Sequence, residues 1–214
     1  MADTAHTLAS TGSFYRARIA SFLAIAPLGI WTVLHLWDNL SAFDGAQAWE
    51  RTVTGARHPL HQTLLVVVVL LPLLLHTLWG IARLASFRPN NGRYGNYDNL
   101  KYLLQRLSAL GLLGFIGAHL WLAWAQPRFV EGRPEPFADI SHEMAHHTPT
   151  LVVYILGVLA VSYHLANGIQ TFAMGQGLVA SAGALRRLEW VVYLTFALLL
   201  AMGWASVFAL WRAG

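Results

Sequence analysis

Five long apolar segments alternate with shorter polar ones along this chain of 214 residues. The apolar segments cover about residues 14–38, 59–84, 102–126, 149–172 and 187–211. Each is longer than the roughly 20 residues that a helix needs to cross the hydrocarbon core of a bilayer. The pattern therefore predicts an all-α integral membrane bundle of five transmembrane helices, built as a single domain over residues 1–214.

Composition and charge support a membrane protein and predict its orientation. Hydrophobic residues make up 56% of the chain and charged residues 11%, whereas soluble domains carry roughly 25% charged residues. Nine of the 14 lysines and arginines lie at the amino terminus, in or beside the loop 85–101, or in or beside the loop 173–186. Because basic loops stay on the cytoplasmic side of a membrane, we expect the amino terminus to be cytoplasmic.

Four histidines, His35, His76, His119 and His164, each lie in a different apolar segment. An ionisable side chain at membrane depth is costly unless it is compensated, so such residues indicate a functional site. Since successive helices run in opposite directions, His35 and His119 lie toward the outer ends, and His76 and His164 toward the inner ends. Two imidazoles at one depth can bind a haem iron from both sides. The spacing predicts two haems, one ligated by each pair.

Haem ligation accounts for the four histidines better than hydrogen bonding or zinc binding does. A single histidine in a membrane helix forms an interhelical hydrogen bond about as often as it binds a metal. Four histidines at matched depths are hard to explain by hydrogen bonding alone. The absence of cysteine excludes iron–sulfur ligation, and structural zinc requires four close ligands. His142, Glu143 and His146 match the H-E-x-x-H pattern of zinc proteases. We expect this stretch to lie in an outer polar loop without a third ligand, which argues against a protease.

Three stretches of the chain resemble a known family. They are FYRARIASFLAIAPLGIWTVLHL, FRPNNGRYGNYDNLKYLLQR and GVLAVSYHLANGIQTF. They are similar to the cytochrome b membrane-anchor subunit of succinate:quinone oxidoreductases, in particular the single-chain, five-helix, dihaem type of menaquinone-using bacteria. The resemblance implies two haem b groups with the same histidine pairing. It places the subunit in the bacterial cytoplasmic membrane.

The resemblance also implies an electron path and partners. Flavoprotein and iron–sulfur subunits would dock on the cytoplasmic side and oxidise succinate, so this chain would have no catalytic residue for succinate. Electrons would pass through the inner and then the outer haem to quinone, most simply menaquinone. No nucleic-acid partner is implied, and the complex can form a higher oligomer.

Further site residues follow from family positions and from spacing. Haem propionates would be bound at the inner ends of the first and third helices, and a glycine one turn after two of the ligands would leave room for the ring. These cofactor-binding residues are Arg16, Arg18, Ser21, Gln105, Arg106, Gly80 and Gly168. The residues available to quinone on the outer side are Trp31, Glu50, Arg57 and His58. For the arginines, contact with lipid phosphates is the alternative.

Two further functions stay open on the sequence alone. The first is a dihaem cytochrome b that serves a quinol:fumarate reductase or another membrane dehydrogenase. The second is a membrane transporter without haem. A haem spectrum would exclude the second, and the identity of the partner subunits would decide the first.

Overall fold

The computed structural model describes residue 15 and residues 18–55, 59–85, 88–89 and 92–214. Five helices in this part of the chain are long and apolar enough to cross a membrane. In chain order, α1 to α5, they are Arg18–Asp44, Gln62–Leu84, Tyr97–Phe129, Thr148–Gly175 and Ala182–Ala213. The described ranges contain helices and turns but no strand. The predicted all-α membrane bundle of five helices is confirmed. That the chain forms a single domain and that the bundle encloses two haems stay predictions.

Two helices begin five residues earlier than the hydropathy pattern predicts. Helix α3 begins at Tyr97 and α5 at Ala182. The Asn96 side chain accepts a hydrogen bond from the backbone N–H of Asn99 (2.9 Å), and Ser181 accepts one from Ala184 (3.2 Å). Both are N-caps, which satisfy an otherwise unpaired N–H at a helix start. The first turn of α3 contains Asp98 and Asn99, and Arg186 and Arg187 directly follow the first turn of α5, which is why the apolar pattern alone begins later.

Prolines in the spanning helices accompany wide helical turns. The π-helical turn Ala24–Gly29 contains Pro27, and the π-helical turn Val66–Leu70 directly precedes the helical segment that begins Leu71–Pro72. Proline lacks the N–H that would bond the carbonyl four residues earlier, and its ring crowds that carbonyl. A wider turn accommodates this local mismatch.

The connections at one end of the bundle form a folded cap. This end, which we call the outer end, carries the short helix Ala46–Trp49 and the helix Phe137–His146, named here the outer helix. The Glu50 carboxylate joins the two connections, because its Oε1 accepts a hydrogen bond from the backbone N–H of Phe137 (3.0 Å). Buried side chains of both connections pack with those of α4 and α5. They include Trp49, Phe137, Ile140, Met144, Tyr154, Val207 and Leu210.

The prediction that His142, Glu143 and His146 lie in a polar loop is wrong. They lie on the outer helix, whose buried residues include Phe137, Ile140 and Met144. This spacing of three or four residues gives the helix one apolar face, and the exposed polar residues cover the other. The segment is too short and too polar to resemble a spanning helix, so hydropathy along the chain does not reveal its amphipathic pattern.

Glu135 lies in the connection that leads into the outer helix and is only 9% exposed. The pKa of its carboxyl is raised from 4.5 to about 7, mainly by burial and also by the carboxylates of Asp139 and Glu131, against the lowering effect of Arg133. Burial disfavours the charged form, and like charges add to that effect. The cap therefore holds a carboxyl group that is protonated more readily when the chain is folded.

We expect Glu135 to make the folded protein less stable as the pH rises from about 4.5 to about 7. In this window the unfolded chain releases the proton while the folded chain retains it, so ionisation favours unfolding. Glu135→Gln should remove this decline and be more stable than the wild type above pH 7, as measured by thermal unfolding in detergent between pH 4.5 and 8. Asp44→Asn, at an exposed carboxylate of the same end, should keep the wild-type pH dependence.

Candidate functional site

The structure brings the four intramembrane histidines together in two pairs. His35 of α1 lies beside His119 of α3, with ring centres 5.8 Å apart and ring planes 66° apart. His76 of α2 lies beside His164 of α4, with ring centres 6.2 Å apart and ring planes 68° apart. These are the pairs that the depth of each histidine predicts, and their geometries are nearly the same.

The separation within each pair suits one metal between two imidazoles. Two imidazoles bound to opposite faces of one metal, each with a metal–nitrogen bond of about 2 Å, place their ring centres about 6 Å apart. In the parts of the chain that the structure describes, no set of three or more His, Asp or Glu side chains could hold a metal ion. The arrangement therefore suits a metal whose remaining ligands come from a macrocycle.

A cavity of about 1320 Å³ adjoins the inner pair. It lies between α1, α2, α3 and α4, and it extends from Lys101 at the inner end to Thr32 and Leu120, each within one turn of an outer-pair histidine. Ligand pockets of about 300–1,000 Å³ hold one drug-sized molecule, so this space exceeds what one such molecule needs. The cavity is lined by both inner histidines and by predicted cofactor-binding residues, namely Arg18, Ser21, Gly80, Gln105, Arg106 and Gly168. Arg16, also predicted, lies outside the described residues.

Space beside Gly80 and Gly168 is not filled by neighbouring side chains of the described residues. A Cβ atom added at Gly80 would meet nothing within 4 Å among the described residues, and one added at Gly168 would meet only Ile25 Cδ1 at 3.8 Å. Glycine inside a helix costs about 1 kcal/mol relative to alanine. Close helix packing does not explain either glycine, whereas room for a ligand in the cavity does.

Two polar nitrogens lie buried at the cavity. His76 Nδ1 and Arg106 Nε are buried, and neither has a hydrogen-bond partner in the described ranges. Leaving a buried polar group unpaired costs roughly 1–3 kcal/mol. The Arg106 guanidinium lies 5.2 Å above the centre of the Tyr102 ring. An acidic ligand in the cavity would satisfy the Arg106 N–H.

Aromatic rings flank the outer pair. Trp31 stacks on His35 with ring centres 4.5 Å apart, and Phe115 stacks on His119 with ring centres 5.5 Å apart. Of the residues predicted to contact quinone, Trp31 thus lies beside this pair. Glu50 lies in the outer cap, bonded to Phe137, and Arg57 and His58 fall outside the described residues. Quinone contact stays a prediction for all four.

Sequence reasoning missed four polar residues that contact the histidines or their neighbours. One is Asn39, whose Nδ2 donates to the His35 carbonyl oxygen (2.8 Å) and lies 3.5 Å from His35 Nε2. The Tyr154 hydroxyl lies 3.1 Å from His119 Nδ1, and Ser108 Oγ lies 3.4 Å from His164 Nδ1. Asn167 Nδ2 donates to Gln105 Oε1 (2.8 Å). Their polarity in apolar helices was the available signal. The spacing of Asn167, three residues after a histidine, also places it on the same helix face.

The H-E-x-x-H stretch has a structural role in the cap. His142 and His146 lie side by side on the outer helix, with ring centres 4.6 Å apart. Glu143 instead accepts a hydrogen bond from the Thr150 hydroxyl (3.2 Å) and lies 3.4 Å from His147 Nδ1. Its carboxylate thereby connects the outer helix to the start of α4.

A sequence model of the succinate dehydrogenase/fumarate reductase transmembrane subunit matches residues 85–203, more than half of the chain. The chain belongs to this family. It is also 28% identical over 202 residues to the succinate dehydrogenase cytochrome b558 subunit of Bacillus subtilis (strain 168), and the match covers 92% of this chain and 96% of that protein. The predicted resemblance is confirmed. The transmembrane subunit described here is thus a multi-pass membrane component of a succinate dehydrogenase/fumarate reductase complex.

We expect Gly157→Ala to destabilise the transmembrane subunit. An added Cβ would overlap the ring of Phe115, which stacks on His119 and packs edge-on against Tyr154. Overpacking of this kind costs about 1–3 kcal/mol, measurable as a lower free energy of unfolding in mixed micelles. Gly111→Ala is the matched control, because its Cβ would make an ordinary contact with Ala160 at 3.6 Å. Equal stability of the two variants would contradict the packing argument.

Proposed function

We propose that this transmembrane subunit binds two haem b groups and carries electrons between an iron–sulfur subunit and membrane quinone. The observation that carries the proposal is the pairing of four imidazoles from four helices, with ring centres 5.8 Å and 6.2 Å apart. The name of the Bacillus subtilis relative, a cytochrome b558 subunit of succinate dehydrogenase, supports haem b.

The inner haem would be ligated by His76 and His164 inside the cavity. Gly80 and Gly168 would leave room for the edge of the ring. Carboxylates need polar and cationic partners, and the fork of an arginine side chain suits them. The residues proposed to bind propionates are Arg16, Arg18, Ser21, Gln105 and Arg106. The buried, unpaired Nε of Arg106 supports this assignment most directly.

The outer haem would be ligated by His35 and His119. The Trp31 ring stacks on the His35 imidazole, and the Phe115 ring stacks on the His119 imidazole. These contacts would restrict rotation of the two imidazoles. The folded cap with the outer helix covers this end of the bundle with apolar side chains. These contacts would hold the ligands in place and limit access of water from the outer face.

When bound, the two haems would supply one-electron redox centres at two depths of the membrane. The chain's own residues fix the axial ligands, exclude water and bind the propionates, and they supply no chemistry on succinate. Axial ligation, burial and hydrogen bonds set the potential of such a centre.

The direction, quinone and partners are also part of the proposal. The relative's name favours succinate oxidation, with menaquinone reduced near the outer pair by way of Trp31, Glu50, Arg57 or His58. Basic residues are in excess at the inner end of the bundle, which carries the amino terminus and the loops 85–101 and 173–186. This excess supports a cytoplasmic amino terminus in a bacterial cytoplasmic membrane. Flavoprotein and iron–sulfur subunits would dock at that inner end, and the whole chain would act as one domain.

The proposal is tested by the absorption spectrum and haem content of the purified complex. We expect two haem b groups per transmembrane subunit, both low-spin because each iron has two imidazole ligands. Succinate should reduce them in the intact complex. A folded, colourless complex would contradict the proposal and would favour a function without haem, and a single haem per chain would contradict the dihaem assignment.

Removing single ligands should separate the two centres. We expect His76→Ala and His164→Ala to lose the same component of a redox titration, and His35→Ala and His119→Ala to lose the other, because each pair shares one iron. His142→Ala, on the exposed face of the outer helix, should retain both components. Loss of the same component from His35→Ala and His76→Ala would contradict the pairing.

A further inference from the structure

Helices α3 and α4 exchange hydrogen bonds between histidines and hydroxyl groups. Helix α3 carries Ser108 and His119, and α4 carries Tyr154 and His164. Tyr154 Oη lies 3.1 Å from His119 Nδ1, and Ser108 Oγ lies 3.4 Å from His164 Nδ1. Since the helices are antiparallel, each provides one histidine and, ten or eleven residues away, one hydroxyl for the histidine of its neighbour.

The hydrogen bonds around Ser108 indicate which atom donates. The Ser108 hydroxyl donates to the carbonyl oxygen of Gln105 (3.1 Å), so its oxygen can accept from His164 Nδ1–H. The Gln105 amide nitrogen also lies 3.3 Å from His164 Nδ1, but it donates to the His164 carbonyl oxygen (3.2 Å). The Gln105 Oε1 is held by Asn167. His164 also has a hydrogen bond to the Gln105 backbone, and Ser108 Oγ is the side-chain acceptor available to this imidazole.

Tyr154 is the corresponding acceptor at His119. Its side chain is buried, with 8% exposed, between Phe115 and His119. A neutral imidazole that binds a metal through Nε2 carries its proton on Nδ1 and must donate it. The phenol oxygen is then the acceptor, and the bond fixes both the ring orientation and the tautomer.

We infer that Tyr154 and Ser108 are positioning residues, Tyr154 for the outer haem through His119 and Ser108 for the inner haem through His164. This inference rests on the proposed haem ligation. A ligating imidazole that donates its second N–H becomes a stronger electron donor to the metal, which stabilises the oxidised state. Each hydroxyl therefore lowers the reduction potential of its own haem and leaves the other haem unaffected.

The inner centre offers the sharper case. The second ligand of that pair, His76, has a buried Nδ1 without a hydrogen-bond partner in the described ranges. The Ser108 hydroxyl contacts the inner pair at His164. Replacing this hydroxyl should change the electronic character of the site without removing a ligand.

The experiment is a redox titration of the intact complex followed at the haem absorption bands. We expect Tyr154→Phe to raise the potential of the component that His119→Ala removes, and Ser108→Ala to raise that of the component that His164→Ala removes. Ser108→Thr keeps a hydroxyl and should restore the wild-type potential. Both haems should be retained in all three variants.

Two matched controls make the same chemical changes elsewhere on α4. Ser162→Ala removes a buried hydroxyl that has no hydrogen-bond partner in the described part of the chain. Tyr163→Phe removes a hydroxyl from a ring that packs edge-on against Phe196 of α5. Neither variant should change the reduction potential of either haem, because the hydroxyls of Ser162 and Tyr163 form no hydrogen bond with the four ligating histidines in the described ranges.

The outcomes separate the inference from the proposed function. Two haems with unchanged potentials in Tyr154→Phe and Ser108→Ala, or equal shifts of both components, would overturn the inference and leave the haem ligation intact. A wild-type complex without haem would overturn the proposed function itself. Should Tyr154→Phe fail to assemble, the comparison of Ser108→Ala with Ser108→Thr decides the question.

Discussion

The structure depends on the cost of placing four imidazoles inside an apolar helix bundle. That cost is compensated only where a second polar group meets each ring at the same depth. Antiparallel helices achieve this in two layers, His35 with His119 and His76 with His164. The same requirement accounts for the cavity and its glycines, which leave space beside the inner imidazoles. It also accounts for the hydroxyls of Ser108 and Tyr154, which contact the Nδ1 atoms of His164 and His119.

The two ends of the bundle meet different requirements. At the outer end, the short connections fold over the helices and bury Trp49 and Met144 in a core like that of a soluble protein. At the inner end, the cavity is lined by Arg18, Arg106 and Lys101, and Lys101 forms ion pairs with Asp98 and Glu189. The apolar cap would shield the outer histidine pair from water, and the arginines at the inner end would suit carboxylate groups of a ligand.

The sequence was sufficient to predict the features that depend only on the number of residues along the chain. Helix number follows from segment length, and the histidine pairing from depth along antiparallel helices. The early helix starts at Tyr97 and Ala182 were missed because charged residues within the first two turns, Asp98 and Lys101 in α3 and Arg186 and Arg187 in α5, interrupt the apolar pattern. The contacts of Ser108 and Tyr154 were missed because they depend on how α3 and α4 rotate about their axes. A distance along one helix does not fix that rotation.

The cavity also bears on how the five helices stay together. Helix α4 packs closely on α3 and α5, whereas α2 packs chiefly on α1 and meets α3 only sparsely. The space between α2 and α4 is largely the cavity, with His76 and His164 approaching each other across it. A haem bound there would fill this gap and would link α2 to α4 through iron. If the proposed haem completes the packing in this way, binding of the haem would be coupled to assembly of the helices.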